Sequence, residues 1–326
     1  MATQIKTTQG KTRAGRLNFK LTRESSLVMM TLITIVMATI VFPSSFPSFT
    51  NASGIMRNFA LDAIMTCGMM LLMVSGVFDL SVGSIYSLVG VLTAALMKNF
   101  GWPMGLAVLA GLTAAILCGL VNGFITAKVK VNALITTLGT QQIFRGIAIW
   151  IGGTNIPALP PSFNAIAQSK ILGIQGFVWI MGLVVLISYL LLSKTRFFRQ
   201  FYYIGGNIKA AKLSGINVER MQMFGFAFMG LMAGLAGMLF ASRLGAAVAV
   251  AGDGKELAII TATILGGASL SGGKGNIFGA LIGVIFIAIV NNLMILATVE
   301  AYWQSIVIGT ILILAVATDW LVNRGK

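Results

Sequence analysis

Histidine is absent from the 326 residues of this sequence, and only two cysteines, Cys67 and Cys118, are present. A metal site built from His and Cys ligands is therefore excluded. Both cysteines lie within apolar runs, where we expect them to be small packing residues rather than the two halves of a disulfide.

Charge is also scarce, because 10% of the residues are charged while 57% are hydrophobic, and the mean hydropathy is +0.92. A soluble domain of this length needs far more charge to cover its surface. Lipid must therefore be the main solvent, and backbone polar groups at that depth must be satisfied within the chain. The long apolar runs are accordingly predicted to be helices rather than strands.

No catalytic or phosphate-binding motif is present. The stretch nearest to a P-loop, residues 267–275, has the wrong spacing, lacks a Ser or Thr after its lysine and follows an apolar run. Only eight acidic residues occur, most of them in predicted loops or at helix ends, so a proton relay is poorly supported. We expect neither enzymatic activity nor a cofactor bound by this chain.

Ten apolar segments are predicted, most of them near the ~20 residues that cross a hydrocarbon core of ~30 Å. The third and eighth are short and flanked by Gly and Ser, a pattern typical of half-helices that line a path. We therefore expect an all-α integral membrane protein with one transmembrane domain, residues 26–322. The segments are residues 26–42, 60–78, 83–97, 104–127, 133–152, 174–193, 221–242, 256–270, 275–297 and 302–322.

The basic residues predict the orientation of these segments. With the N-terminus in the cytoplasm, 17 of the 23 basic residues are cytoplasmic, 5 are external and Arg145 lies within a span. This asymmetry satisfies the positive-inside rule. Both termini, residues 1–25 and 323–326, are therefore predicted to be cytoplasmic. Topology rather than nucleic-acid binding explains the net charge of +15.

Two connections are long. The outer one, about residues 153–173, contains three prolines and is predicted to be an irregular external cap. The inner one, residues 194–220, is the most polar interior stretch, and within it Asn207 can cap a short helix that stops at Gly215. This helix has a small apolar face, which fits docking on a protein or contact with membrane lipid.

Three stretches resemble motifs of the permease family of ribose-type sugar ABC importers. Residues 75–84 resemble its S-G-x-I-D-L-S-V-G-S motif, with Phe78 in place of isoleucine, and residues 266–275 resemble its G-G-x-S-L-S-G-G-x-G motif. The inner loop carries the Ile-Gly-Gly-Asn, paired alanines and Leu-Ser-Gly-Ile of the family's cytoplasmic signature, although Phe198 stands where the family commonly has glycine. The similarity covers about residues 60–320.

The resemblance implies the permease subunit of a binding-protein-dependent importer in the bacterial inner membrane. It implies a second permease copy or homologue, ATP-binding subunits that bind ATP and Mg on the cytoplasmic face, and a periplasmic solute-binding protein. A pentose or hexose is the expected solute, followed by a sugar-derived signalling molecule. The coupling residues that the resemblance implies are Gly205, Gly206, Asn207, Ala210, Ala211, Leu213, Ser214, Gly215 and Ile216.

Polar residues and glycines in or beside the spans are candidates for the translocation path or its gate. Because unpaired polar groups are costly in hydrocarbon, these side chains should face the bundle interior or an aqueous path. They also fit helix caps, interhelical hydrogen bonds and tight turns, and Arg145 is expected to reach the outer headgroups. The candidates are Asp79, Ser81, Gly83, Asn122, Gln141, Asn291, Asn292, Gly272 and Gly273.

Two rival functions remain. A permease of the wider superfamily for a nucleoside or a branched-chain amino acid would share the architecture, but the sugar-type loop and glycine motifs argue against it. A secondary transporter or channel needs no ATPase, so residues 205–216 would have no obvious role in it.

Overall fold

The computed structural model of the protein describes residues 23–323. Most of the predicted cytoplasmic tail and residues 324–326 lie outside this part. Within it, the chain forms thirteen α-helices, one π-helix and four two-residue strands. The helices are α1 (Arg23–Val41), α2 (Phe49–Val74), α3 (Val82–Lys98), α4 (Met104–Gly123), the π-helix (Phe124–Lys128), α5 (Ala133–Gly152), α6 (Pro161–Gln168), α7 (Gly176–Lys194), α8 (Arg196–Gly206), α9 (Ile208–Leu213), α10 (Val218–Leu244), α11 (Lys255–Leu265), α12 (Ile277–Leu296) and α13 (Ala301–Asn323).

Among the described residues, six helices are long and apolar enough to cross a membrane: α2, α4 with the π-helix, α7, α10, α12 and α13. The apolar helices α1 and α3 are shorter. Each of the ten predicted segments contains one helix, so the helical membrane class is confirmed. The count of ten crossings stays a prediction.

The core of the molecule is built around α2 and α10. From Phe59 to Val74 every residue of α2 is buried except Asp62, which is partly exposed. Glycines also bring α4 and α10 into backbone contact. A Cβ on Gly119 of α4 would lie 2.2 Å from the carbonyl oxygen of Phe226 of α10. Small residues allow this close approach. The resulting van der Waals packing stabilises the helix pair, because the hydrophobic effect does not drive helices together in lipid.

The second helix begins earlier than the sequence predicted. The apolar run suggested a start at residue 60, but α2 starts at Phe49, where the Ser48 hydroxyl accepts a hydrogen bond from the Asn51 amide. The extra turns contain polar residues, which concealed them from a hydropathy pattern. Their side chains find partners on other elements, as the Asn51 contacts below show.

The short helix α11 begins half-way along α2. Its Lys255 Nζ lies 2.5 Å from Asp62 Oδ1, and Asp62 precedes the end of α2 at Val74 by twelve residues, or about 18 Å of helix. The segment before α11, residues 245–254, reaches this level of α2 without forming a helix. The predicted eighth segment ran to residue 270, but α11 ends at Leu265, because glycines follow it.

The predicted external cap contains α6 and the strands β1 and β2, and β3 follows directly after it. Strand β1 (Asn155–Ile156) pairs antiparallel with β4 (Ala247–Val248), and β2 (Lys170–Ile171) pairs antiparallel with β3 (Ile174–Gln175). The β1–β4 pair attaches the cap to the segment that leads into α11. The prediction that this connection is not a membrane span is confirmed, whereas its helix α6 was not predicted.

Candidate translocation and coupling sites

Three of the predicted path residues form one buried cluster. Asp79 Oδ1 accepts hydrogen bonds from the Ser81 amide and hydroxyl, each at 2.7 Å, and Asp79 Oδ2 accepts one from Asn122 Nδ2 at 3.2 Å. All three residues are fully buried. The cluster fastens the loop between α2 and α3 to the end of α4. Neither loop residue caps α3 with its side chain, because Ser81 holds the cap position without a capping hydrogen bond.

A second polar cluster lies where α3 and α11 begin. Glu256 is 7% exposed, and its Oε1 accepts a hydrogen bond from Gln141 Nε2 of α5 at 3.1 Å. A Cβ on Gly83 would lie 2.2 Å from the Gly252 carbonyl oxygen and 2.5 Å from Glu256 Oε2. Glycine at position 83 therefore lets the carboxylate approach the first turn of α3, where the helix dipole favours a negative charge.

Arg145 joins this second cluster. Its Nη1 donates to Ser87 Oγ of α3 at 2.9 Å and to the Ala249 carbonyl at 2.6 Å, and the guanidinium also pairs with Asp253. The expectation that Arg145 reaches the outer headgroups is wrong, since its side chain is 11% exposed. The guanidinium has its partners within the protein, so the side chain does not extend towards the headgroups. The arginine thereby ties α5 to the descending segment before α11.

The two asparagines of α12 take different positions. Asn292 exchanges two amide hydrogen bonds with Asn51 of α2, of 2.6 and 3.1 Å. The Oδ1 atom of Asn291 is buried and has no hydrogen-bond partner among the described residues. Asn292 thus fits the alternative of an interhelical contact, whereas Asn291 retains an unused acceptor.

The Asn51–Asn292 pair predicts a double-mutant cycle. Replacing either asparagine by alanine should lower stability and folded yield, because the remaining amide loses its partner inside the bundle. The two single changes should couple by about 0.6 kcal/mol, with an upper limit of about 1.7 kcal/mol. Thermal unfolding of both single variants and the double variant in detergent measures this energy. Strictly additive losses would mean that the pair does not form.

Two loops and the end of α8 meet at a glycine junction on the side where α2 ends. A Cβ on Gly205 of α8 would lie 1.9 Å from the Val74 carbonyl oxygen and 2.5 Å from the Gly273 nitrogen. The Gly273 amide donates to that same carbonyl at 2.8 Å. Gly272, at φ +83°, packs against both Gly205 and Gly76. The end of α8 is therefore in backbone contact with the loops that follow α2 and α11.

Aromatic side chains hold α8 on the bundle. Phe198 and Phe201 are buried, and Phe197 meets Phe224 of α10 with ring centroids 5.0 Å apart. Such tilted ring pairs add to the energy of apolar burial. This helix was not predicted, although aromatic residues every three or four positions after the capping Thr195 are a signal for it.

Tyr202 adds a polar contact at the same junction. Its hydroxyl donates to the Gly275 carbonyl at 2.9 Å. Burial raises the pKa of the Tyr202 phenol above its ordinary value, so the donating hydroxyl keeps its proton. The contact secures the loop between α11 and α12 to α8.

The predicted capped helix of the inner loop is α9. Asn207 Oδ1 accepts from the Ala210 amide at 3.0 Å, and the chain turns at Gly215 with φ +81°, so both predicted ends are confirmed. Leu213 is 89% exposed, but Ala211 is only 3% exposed. Ala211 is therefore covered by the rest of the permease and does not belong to the outward apolar face on which the sequence placed it.

The exposed side of α8 and α9 encloses a surface cavity of about 790 Å³. Polar and basic side chains such as Arg196, Arg199 and Gln200 line it. Six residues of the predicted coupling segment line the cavity: Gly206, Asn207, Ala210, Ala211, Ser214 and Ile216.

A family model described as branched-chain amino acid transport system / permease component matches residues 51–316. The chain belongs to this permease family. The match includes every candidate path and coupling residue, and it confirms the membrane permease class that the three motifs predicted. No solved structure matches the chain with significant similarity.

Several curated proteins resemble the permease over most of its length. The L-arabinose transport system permease protein AraH of Escherichia coli (strain K12) is 37% identical over 300 residues, or 92% of this chain and 91% of that protein. The ribose import permease protein RbsC of the same strain is 36% identical over 304 residues, or 92% and 94%. The autoinducer 2 import system permease protein LsrC of Shigella flexneri is 35% identical over 257 residues, or 78% and 75%.

The predicted path residues of the permease do not form a single site. They divide among the Asp79 cluster, the Glu256 cluster, the α2–α12 amide pair and the glycine junction, and Asn291 lies in none of these. Sequence reasoning missed Glu256, Asp253 and Ser87. The rarity of acids in so apolar a chain was the available signal, since an acid beside an apolar segment needs a partner.

Proposed function

We propose that this protein is the permease subunit of an ATP-driven importer for a sugar or sugar-like solute in the bacterial inner membrane. The observation that carries the proposal is the glycine junction. The segment with the outward-facing Leu213 continues directly into Gly205, which abuts Val74 and Gly273. A force applied to α9 by an ATP-binding subunit would reach the loops that precede the short helix α3 and the longer helix α12.

The solute class is inferred from the relatives. Their names specify arabinose, ribose and autoinducer 2, whereas the family description specifies branched-chain amino acids. Neutral, hydroxyl-rich solutes suit the polar residues near mid-depth, where amides and paired charges predominate. A second permease copy, two ATP-binding subunits and a periplasmic binding protein complete the proposed assembly.

Reconstitution tests this proposal. The permease is placed in liposomes with its ATP-binding subunits and its binding protein, and uptake of labelled L-arabinose, ribose and leucine is measured. We expect ATP-dependent uptake of a sugar and none of leucine. Uptake driven by an ion gradient without the ATP-binding subunits would identify a secondary transporter, and leucine uptake would favour the amino-acid alternative.

The topology gives a separate prediction. From the basic-residue asymmetry we propose ten spans, with both termini in the cytoplasm and the β1–β4 cap outside. Reporter fusions at the C-terminus and within residues 153–173 should therefore report opposite sides of the membrane. Identical signals from the two fusions, or an external C-terminus, would rule out the ten-span arrangement.

A further inference from the structure

A cleft of about 450 Å³ lies between α4 and α10 on the outer surface of the bundle. Its walls are apolar and include Leu120 of α4 and Phe224, Ala227 and Leu231 of α10. Arg220 lines one end. The cleft is apolar along its walls and has a single cation at its mouth. This polarity matches that of a phospholipid whose acyl chain lies in the cleft and whose headgroup lies at the rim.

The length of the cleft also matches that of an acyl chain. Arg220 and Leu231 are eleven residues apart on α10, which corresponds to about 16 Å of helix. Half of a ~30 Å hydrocarbon core is about 15 Å. The cleft therefore extends from the surface of the membrane to about the end of one leaflet, the depth that an acyl chain occupies.

The charges at the mouth favour an anion. Lys128, Lys130 and Lys212 act electrostatically on one carboxylate, Glu219, and Lys130 pairs with it at 2.6 Å. Arg220 is the next residue and is exposed. Within residues 23–323, no side chain pairs with its guanidinium. Four cations against one acid leave an excess of positive charge where a lipid phosphate would lie.

We propose that this cleft binds an anionic phospholipid, with one acyl chain lying along the surface groove formed by α4 and α10 and its phosphate on Arg220. A guanidinium can give a phosphate two parallel hydrogen bonds, which a dispersed surface charge cannot. Zwitterionic lipid would fill the same groove but would gain less from the excess charge. Each basic residue near an anionic surface is worth about a fivefold change in affinity.

The test uses the full-length permease in nanodiscs that contain equal amounts of phosphatidylglycerol and phosphatidylcholine with identical acyl chains. After extraction in a mild detergent, native mass spectrometry counts the lipids retained on each molecule. The wild-type protein should be enriched in phosphatidylglycerol. Arg220→Gln should lower the ratio of the two lipids about fivefold, whereas Lys170→Gln, which removes an exposed charge in the external cap, should leave it unchanged.

A second variant tests the groove itself. Ala227→Phe places bulk in the cleft and should reduce retained lipid of both headgroup types. An unchanged lipid ratio in Arg220→Gln would overturn the proposal, even if the Ala227 variant did not fold. So would normal lipid retention in Ala227→Phe with loss of the permease dimer, because the cleft would then be an interface between two copies of this chain.

Discussion

Replacing Gly205 by alanine is expected to destabilise the permease by about 3 kcal/mol, near the upper end of the usual cost of overpacking. The added methyl group would lie 1.9 Å from the Val74 carbonyl oxygen, a backbone atom that cannot rotate away. Separating the two segments would also break the bond from the Gly273 amide to that carbonyl. A change of this size lowers the ratio of folded to unfolded protein roughly a hundredfold.

Gly206 provides the matched control for folding. It is the next residue of the same helix, and a Cβ there meets no atom within 4 Å. Gly206→Ala should therefore retain the wild-type stability or exceed it, because alanine favours a helix more than glycine does. Thermal unfolding and size-exclusion yield of the isolated permease compare the two variants. Equal values for both would show that α8 does not abut the end of α2.

The fold could be predicted as far as local sequence determines it. Apolar runs located ten helices, and Asn207 and Gly215 marked the ends of α9, because capping depends on neighbouring residues. The start of α2 was missed because polar residues such as Asn51 have their partners far away in sequence. The partner Asn292 is 241 residues distant, and no local pattern encodes that distance.

The candidate sites show the same division. The motifs identified Asp79, Ser81 and Gly205, but not what they touch. Whether Arg145 contacts lipid or protein depends on the path of residues 245–254, which lead to the start of α11 half-way along α2. That path follows from the tertiary packing of α3 and α11. Likewise, the burial of Ala211 depends on how α8 is anchored by its phenylalanines.

The second large effect is expected at Leu213. This side chain is 89% exposed on a six-residue helix, flanked by the exposed Lys209 and Lys212. An exposed leucine adds nothing to the stability of the permease alone. A hot-spot side chain buried in a partner's pocket, in contrast, contributes about 2 kcal/mol or more to the binding free energy, which corresponds to ~30-fold in affinity. If α9 docks on the ATP-binding subunit, Leu213→Asp loses this contact and also places a charge in the interface.

We therefore expect Leu213→Asp to fold normally and to lose at least ~30-fold in affinity for the ATP-binding subunit. Co-purification of that subunit, together with its ATPase turnover in the presence of loaded binding protein, measures the effect. Leu172→Asp is the matched control, because Leu172 is 87% exposed in the predicted external cap, away from α9 in the sequence. Its association with the ATP-binding subunit should be unchanged. Full association of the Leu213 variant would instead assign α9 to the lipid surface, because an interfacial helix can lose one leucine without affecting a protein partner.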